Sequence, residues 1–463
     1  MITEAQMCAV LNEALATGSD FAELYFEEKD ELNIKCANGS IRNITTTRIS
    51  GVGVYLLLGS KSVYGHTNDL SFHNLIAVAQ QLAQLLKNQG NNQAKVHDFT
   101  QKRYQNPNRV EIFPASVNNL AKIKVAKEAY RAIQDSGIKV KQANVDYFDT
   151  DQRVTICNSN GLLTEDRRVT SRLRLQATVQ DGQQSLFDWK DYVLPHGFET
   201  FRLTANYTDF AKQFVKNILK RLRAKSAPTG VFPVVFESGS CGTFWHEACG
   251  HQLESTAIAG QRSDFVDLIG KKVASDKVTI IDDGTIPGLY GSAAIDDEGH
   301  PTQKNILIEN GILTGYLCDR LGGRRLGLPS TGSGRRQSYT YAPVARMTNT
   351  YLAAGTDDDD EMIKSVDEGL YVKGMGGGTG GREFSVEVID GYWIKNGQID
   401  YQIKGLTLNA RGIDIMKKVD RVGKRLETEY GGFCGAASGL CPVTSFQPRM
   451  RVTEMAIGGG SHG

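Results

Sequence analysis

Apolar positions at helical spacing open the chain. Met7, Val10, Leu11, Ala14 and Leu15 recur every three or four residues within 3–17, and Gly18 ends the run. The period then shortens to two. Residues 21–28 and 32–37 read as strands, and Asn38-Gly39 predicts a hairpin into 41–47. A second hairpin joins 51–58 to 62–67 around Gly59-Ser60-Lys61. A plain amphipathic helix follows over 75–86, and 88–109 is polar, rich in Asn and Gln, and predicts a connector. The alternation then repeats. A helix over 114–135 ends near Gly137, and strands are predicted over 138–148 and 153–158, joined through 149–152, then over 165–180 and 184–193. A long helix over 201–222 has a basic C-terminal end that suits its dipole.

The segment 224–230 has linker composition, so the chain divides into an N-terminal domain, 1–225, and a C-terminal domain, 226–463. The second part starts with a short apolar strand, 231–236, a glycine-rich turn, and a helix from near Thr243. Further strands are predicted over 278–282, 290–295, 305–309, 312–318, 384–394 and 398–408, with Asn310-Gly311 and Asn396-Gly397 as hairpin turns. Asp357–Asp360 precede Met362, Ile363 and Val366 at helical spacing, and acids there suit a helix N-terminus better than a cation site. The run 374–381 lacks the Gly-Lys-Ser/Thr ending of a nucleotide loop. It predicts close approach of backbone to an extended ligand, with Gly376 and Gly377 as contacts. The expected fold class is α+β: helices on antiparallel sheets in the first domain, and a β-rich second domain that carries a metal-binding helix.

Composition narrows the function. With 53 basic and 52 acidic residues the net charge is +1, which gives no electrostatic footprint for nucleic acid or an anionic membrane. No apolar run approaches the roughly 20 residues that cross a bilayer, and an acid near the N-terminus argues against an export signal. Eight cysteines without a framework pattern fit thiols in a reducing cytoplasm.

The chemistry concentrates in Cys241-Gly-Thr-Phe-Trp-His246-Glu247-Ala-Cys249-Gly250-His251-Gln-Leu-Glu254. Two imidazoles suit zinc, and a carboxylate beside the first is placed to take a proton from water. The familiar zinc-protease helix spaces its histidines four apart; here the spacing is five. A regular helix would separate them by roughly 140°. A turn widened to an i to i+5 hydrogen bond would reunite them, and Gly250 eases that distortion. The bland reading is a pair of satisfied core histidines. A catalytic zinc needs a third protein ligand, and Cys249, Cys434, Cys441 and Glu254 all qualify by chemistry. Arg335, Arg346 and Asn349 lie in a stretch dense in guanidinium and amide donors, suited to holding carboxylates or peptide groups, or to bracing loops.

These residues resemble the TldD/PmbA family of metallopeptidases, in its TldD-like branch that carries an HExxxH signature. The likeness rests on 246–251, on Gly334-Arg-Arg-Gln-Ser-Tyr with Arg346-Met-Thr-Asn-Thr350, on Phe433-Cys434-Gly435 followed by Gln447-Pro448, and on Ala22-Glu-Leu-Tyr-Phe26 and Gly51-Val-Gly-Val54. The resemblance implies zinc held by His246, His251 and Cys434, with Glu247 as base. It also implies a two-domain subunit that dimerises around a cavity, with itself or with a PmbA-like paralogue, and cuts unfolded peptides bound as extended strands. Neither nucleic acid nor membrane is an expected partner. Cys249 and the segment 378–383 depart from the family pattern. A competing expectation is a non-catalytic peptide-binding or assembly subunit with a structural, fully coordinated metal.

Overall fold

The computed structural model describes residues 2–86, 95–202, 206–428 and 431–458. Its α+β architecture is built on two large sheets. The first holds β1 (Phe21–Ala37), β2 (Ser40–Leu58), β3 (Lys61–Thr67), β4 (Thr100–Lys102), β5 (Val140–Asn158), β6 (Leu162–Asp181) and β7 (Gln184–Leu194). Their order is β3-β2-β1-β5-β6-β4, with β7 beside another part of β6.

Alternation along β1 sorts its two faces. Ala22, Leu24 and Phe26 are buried with α1 (Glu4–Leu15) and α2 (Phe72–Leu85). Leu32, Ile34 and Cys36 are buried with α3 (Asn119–Gln134) and α4 (Asn206–Arg223). All four helices therefore share one side of the sheet. The first is set by a reciprocal cap, in which Thr3 accepts from the Gln6 amide and Gln6 reaches back.

Polar residues at 29–31, 48–50 and 149–152 were expected to interrupt strands, yet β1, β2 and β5 run straight through. Lys29 stays paired with Ile49 on one side and Gln152 on the other. The polarity has a different cause. Lys29, Glu31, Asn33 and Lys35, with Thr45 and Thr47, face a cavity of about 560 Å³ between this sheet and the second half of the chain. Part of the polar connector, 88–94, lies outside the described residues, as do 203–205 of the last predicted helix.

The second sheet comprises β8 (Gly230–Phe236), β9 (Ile280–Asp283), β10 (Lys304–Glu309) and β11 (Ile312–Leu313). A separate two-stranded piece follows, β12 (Gly334–Arg335) with β13 (Val344–Ala345). The large sheet then resumes with β14 (Asn349–Leu352), β15 (Glu368–Thr379), β16 (Glu383–Lys395), β17 (Gln398–Ile403), β18 (Leu406–Arg411), β19 (Val419–Glu427), β20 (Gly432–Ala436) and β21 (Gly439–Ile457). The order β11-β10-β9-β14-β21-β8-β15-β16-β17 places the last strand at its centre. The predicted strand 290–295 is instead a loop. Its backbone is fixed by side chains, with Asn349 accepting from the Gly291 amide, and its residues line the cavity. Asp358 does cap a helix, Asp359–Lys364, by accepting from the Asp360 and Glu361 amides.

The other side of β1 meets the second half through charge. Arg336 and Glu23, each with a fully buried side chain, pair at 2.8 Å. The same guanidinium donates to the Asp297 carbonyl and lies 4.3 Å from the Tyr25 ring. Arg168 reaches across from β6 to Asp297 at 2.6 Å, and Glu27 accepts from the Tyr339 amide at 2.7 Å. Within the second sheet, Glu237 plays a comparable part. It accepts from Arg449 on β21 (2.6 and 3.1 Å) and from the Tyr371 hydroxyl on β15, so three adjacent strands are tied at one carboxylate.

Two outcomes follow. Arg336→Met strands a buried carboxylate, so equilibrium denaturation should show a loss of about 3–5 kcal/mol. Burial alone would raise Glu237, but Arg449, Tyr371 and the Ser238 amide hold it at about 2. A carboxylate depressed in the folded state contributes stability above its unfolded pKa of about 4.3, and that contribution is lost as pH falls toward the folded value. Glu237→Gln should therefore flatten the acid limb of stability between about pH 5 and pH 2, by at most about 1.4 kcal/mol per pH unit.

Candidate metal centre

The helix that follows β8 is anchored by aromatics. Phe244 and Trp245 are fully buried, and Phe244 packs on Phe236 of β8 at 5.0 Å and Phe384 of β16 at 5.2 Å. After Trp245 the backbone widens. His246–Gly250 forms a π-helical turn in which the His251 amide donates to the His246 carbonyl, the i to i+5 bond that the five-residue spacing requires. Gly250 sits under the Met347 sulfur, and Gly412 sits under the Ala248 carbonyl, where an added Cβ would fall 1.7 Å from that oxygen.

The widened turn brings both imidazoles to one sulfur. His246 Nε2 is 3.2 Å and His251 Nε2 is 3.3 Å from Cys434 Sγ, and the two rings are nearly perpendicular at 4.9 Å. All three donor atoms lie within 4.8 Å of one another. Zinc–nitrogen bonds of about 2.0–2.1 Å and a zinc–sulfur bond of about 2.3 Å give tetrahedral N···S edges of roughly 3.6 Å, so the donor set fits zinc with shifts of a few tenths of an ångström. The electrostatics ask for a cation as well. Burial drives His246 well below the ordinary imidazole range, with His251 and Arg346 adding to it. Burial alone would also lower His251, but Cys434 and Glu254 raise it to about 11.

Glu247 leans over the same space, with Oε2 3.9 Å from His251 Nε2 and no hydrogen-bond partner among the described residues. Burial, reinforced by the charge of Glu254, raises its carboxyl to about 7 against the opposing pull of His251. Glu254 turns to the far side of His251, 3.3 Å from Nδ1, and so fixes which ring nitrogen faces the sulfur. The other two thiols considered as ligands stand elsewhere. Cys249 donates to the Trp245 carbonyl inside the core, and Cys441 lies opposite Cys434 on the β20–β21 hairpin, 3.8 Å from an Arg346 nitrogen.

Arg346 is wholly buried and holds that hairpin. It donates to the Cys434 carbonyl, to Ser438 Oγ (3.2 Å) and to the Gly439 carbonyl (2.9 Å), and its Nε lies 4.0 Å from Glu254. Asn349, equally buried, donates to the Asp283 carbonyl and to Ser292. Arg335 donates to the Met347 and Pro442 carbonyls while lining the cavity. All three donate to backbone carbonyls of loops and hairpins. Of the glycine run, Gly376 abuts Glu387 and Gly377 faces open space. Gly378 and Gly380, not named among the expected contacts, press on Glu247 and on His251: a Cβ at Gly380 would fall 2.6 Å from the His251 ring. The large cavity is lined by Cys441, Phe433 and Leu440 but by none of the three donors, so it lies beyond the hairpin rather than over the cluster.

Fold and side chains together define a two-sheet α+β protein with a His/His/Cys cluster that could hold a metal ion. The chain matches the PmbA/TldA metallopeptidase C-terminal domain over residues 229–459, domain 1 over 22–86 and the central domain over 113–222. It is 33% identical to a metalloprotease TldD homolog of Buchnera aphidicola, over 99% of this chain and 96% of that one. It is 32% identical to a metalloprotease TldD homolog of Haemophilus influenzae, over 95% and 93%. The chain belongs to the PmbA/TldD metallopeptidase family. Among solved structures, TldE from Thermococcus kodakarensis shares the fold at a TM-score of 0.73 and 15% identity, covering 98% of this chain and 100% of that one. No described helix is long and apolar enough to cross a membrane.

The close approach at Gly412 generates a prediction. Gly412→Ala drives a methyl into backbone that has no side chain to give way, and should cost about 1–3 kcal/mol in chemical denaturation.

Proposed function

We propose that this chain is a zinc-dependent peptidase that hydrolyses unfolded or extended peptides, with His246, His251 and Cys434 as metal ligands and Glu247 as the proton carrier. The observation that carries the reading is the meeting of two imidazoles and one sulfur beside an unpartnered buried carboxyl. Zinc held there supplies a Lewis acid and lowers the pKa of a water molecule. The protein's own groups do the rest. Glu254 keeps His251 turned toward the sulfur, and Arg346 fixes the Cys434 backbone. Glu247 Oε2 takes the proton from the attacking water and passes it to the departing amine nitrogen.

Substrate alignment is read from β15. Only Leu370–Val372 pair with β8; beyond Val372 that edge has no strand partner among the described residues, while the other edge pairs with β16. An extended peptide added along Gly374–Thr379, past Gly376 and Gly377, would run toward Gly378 and Gly380, and so toward Glu247 and His251. The family likeness adds a cytoplasmic dimer to this proposal, with itself or with a PmbA-like paralogue, and the division at 225/226 separates its two domains. The competing structural-metal reading needs a fourth protein donor. It is disfavoured because Cys249 and Glu254 are both turned to other partners.

Glu247→Gln should still take up one zinc while peptide cleavage falls by roughly 10²–10⁴-fold. Cys434→Ser and His251→Ala should lose the metal itself. Metal content and hydrolysis of an unfolded peptide, measured together, check both; undiminished cleavage by the Glu247→Gln protein would remove that carboxyl from the mechanism.

A further inference from the structure

The hairpin that delivers Cys434 carries a second sulfur that hydrolysis leaves idle. Cys434 and Cys441 occupy one rung of the β20–β21 ladder, and both are buried, so their side chains lie on the same face. Residues directly opposite in an antiparallel pair have Cα atoms about 4.5–5.5 Å apart, within the range of about 4.4–6.8 Å that a disulfide spans. Arg346 touches both, donating to the Cys434 carbonyl and lying 3.8 Å from Cys441 Sγ. No other two cysteines face each other in the described ladders. Cys441 also lines the large cavity, which gives a small oxidant an approach to the hairpin.

We propose that Cys434 and Cys441 form a redox-active dithiol: in the metal-free protein a peroxide converts the pair to a disulfide, which withdraws the sulfur from the metal centre. The inference rests on the zinc reading above. The Cys434 sulfur attacks one peroxide oxygen and gives up its proton; the O–O bond breaks, leaving a sulfenic acid and a hydroxide that takes up that proton as water. Cys441, on the same rung, is the resolving partner. Its sulfur attacks the sulfenic sulfur, the S–O bond breaks, and the Cys441 proton leaves with the hydroxyl as water. Two thiols lose two electrons and two protons, and one peroxide becomes two waters. A sulfur in a disulfide is no longer a thiolate ligand, so the oxidised protein loses its third donor reversibly. Without Cys441, oxidation of Cys434 would continue to the irreversible sulfinic acid.

The test treats reduced, metal-free protein with hydrogen peroxide, maps cross-linked peptides by mass spectrometry, and measures zinc uptake before oxidation, after it, and after reduction with dithiothreitol. The expected result is a 434–441 linked peptide, loss of zinc uptake, and its recovery on reduction; zinc loaded beforehand should suppress the linkage. Cys441→Val should bind zinc when reduced but fail to recover after peroxide. The proposal is overturned if Cys434 is oxidised without a 434–441 link, or if Cys441→Val recovers as the unaltered chain does. Zinc uptake by the reduced chain separates the two readings. Its absence sinks the zinc centre together with the switch, whereas uptake without linkage sinks the switch alone.

Discussion

Two imidazoles five residues apart can meet one sulfur only if the helix between them is one residue wider than usual, and the centre depends on that widening. A π-helical turn is held against the ordinary preference for i to i+4 bonding by what surrounds it. Phe244 and Trp245 pin its start in the aromatic core, Met347 closes over Gly250, and Gly412 is pressed against the Ala248 carbonyl. The contacts come from widely separated parts of the chain. The distortion is therefore imposed by packing, and it survives because glycine stands where the backbones come closest.

Arg346 fixes the other side of the centre. A wholly buried guanidinium is costly unless its donors are used, and here they are spent on the carbonyls and hydroxyl of the one hairpin that carries Cys434. Planarity lets one side chain grip several points of that hairpin at once, a geometry a lysine cannot reproduce. The same economy recurs between the halves of the chain, where Arg336 and Arg168 spend theirs on Glu23 and Asp297.

Much of this was legible in the sequence because the signals were local. Alternation placed β1 and β2, Asn38-Gly39 placed the turn between them, and the histidine spacing itself demanded a widened helix. Long-range facts were not legible. The polar run 29–31 looked like a break because nothing in one strand reveals that its face lines a cavity. The loop at 290–295 looked like a strand because nothing local reveals that the Tyr290 and Gly291 amides are taken by the distant side chains of Thr444 and Asn349. Spacing could not choose Cys434 over Cys249, Cys441 or Glu254, since that choice is made by where a distant hairpin docks. Nothing local in Gly378 and Gly380 shows that they, rather than Gly376 and Gly377, are the glycines set against Glu247 and His251 by the fold.

The central position of β21 sets a timetable. The sulfur donor lies 183 residues after the second imidazole and on the hairpin that leads into the sheet's last strand. At a synthesis rate of about 5–20 residues per second, a ribosome needs roughly 10–40 s to travel from one to the other. Throughout that interval the nascent chain carries its histidines without the cysteine that meets them in the fold. A cluster assembled in this order cannot form while the chain is still being made, and its three side chains meet only when little of the protein remains unfolded.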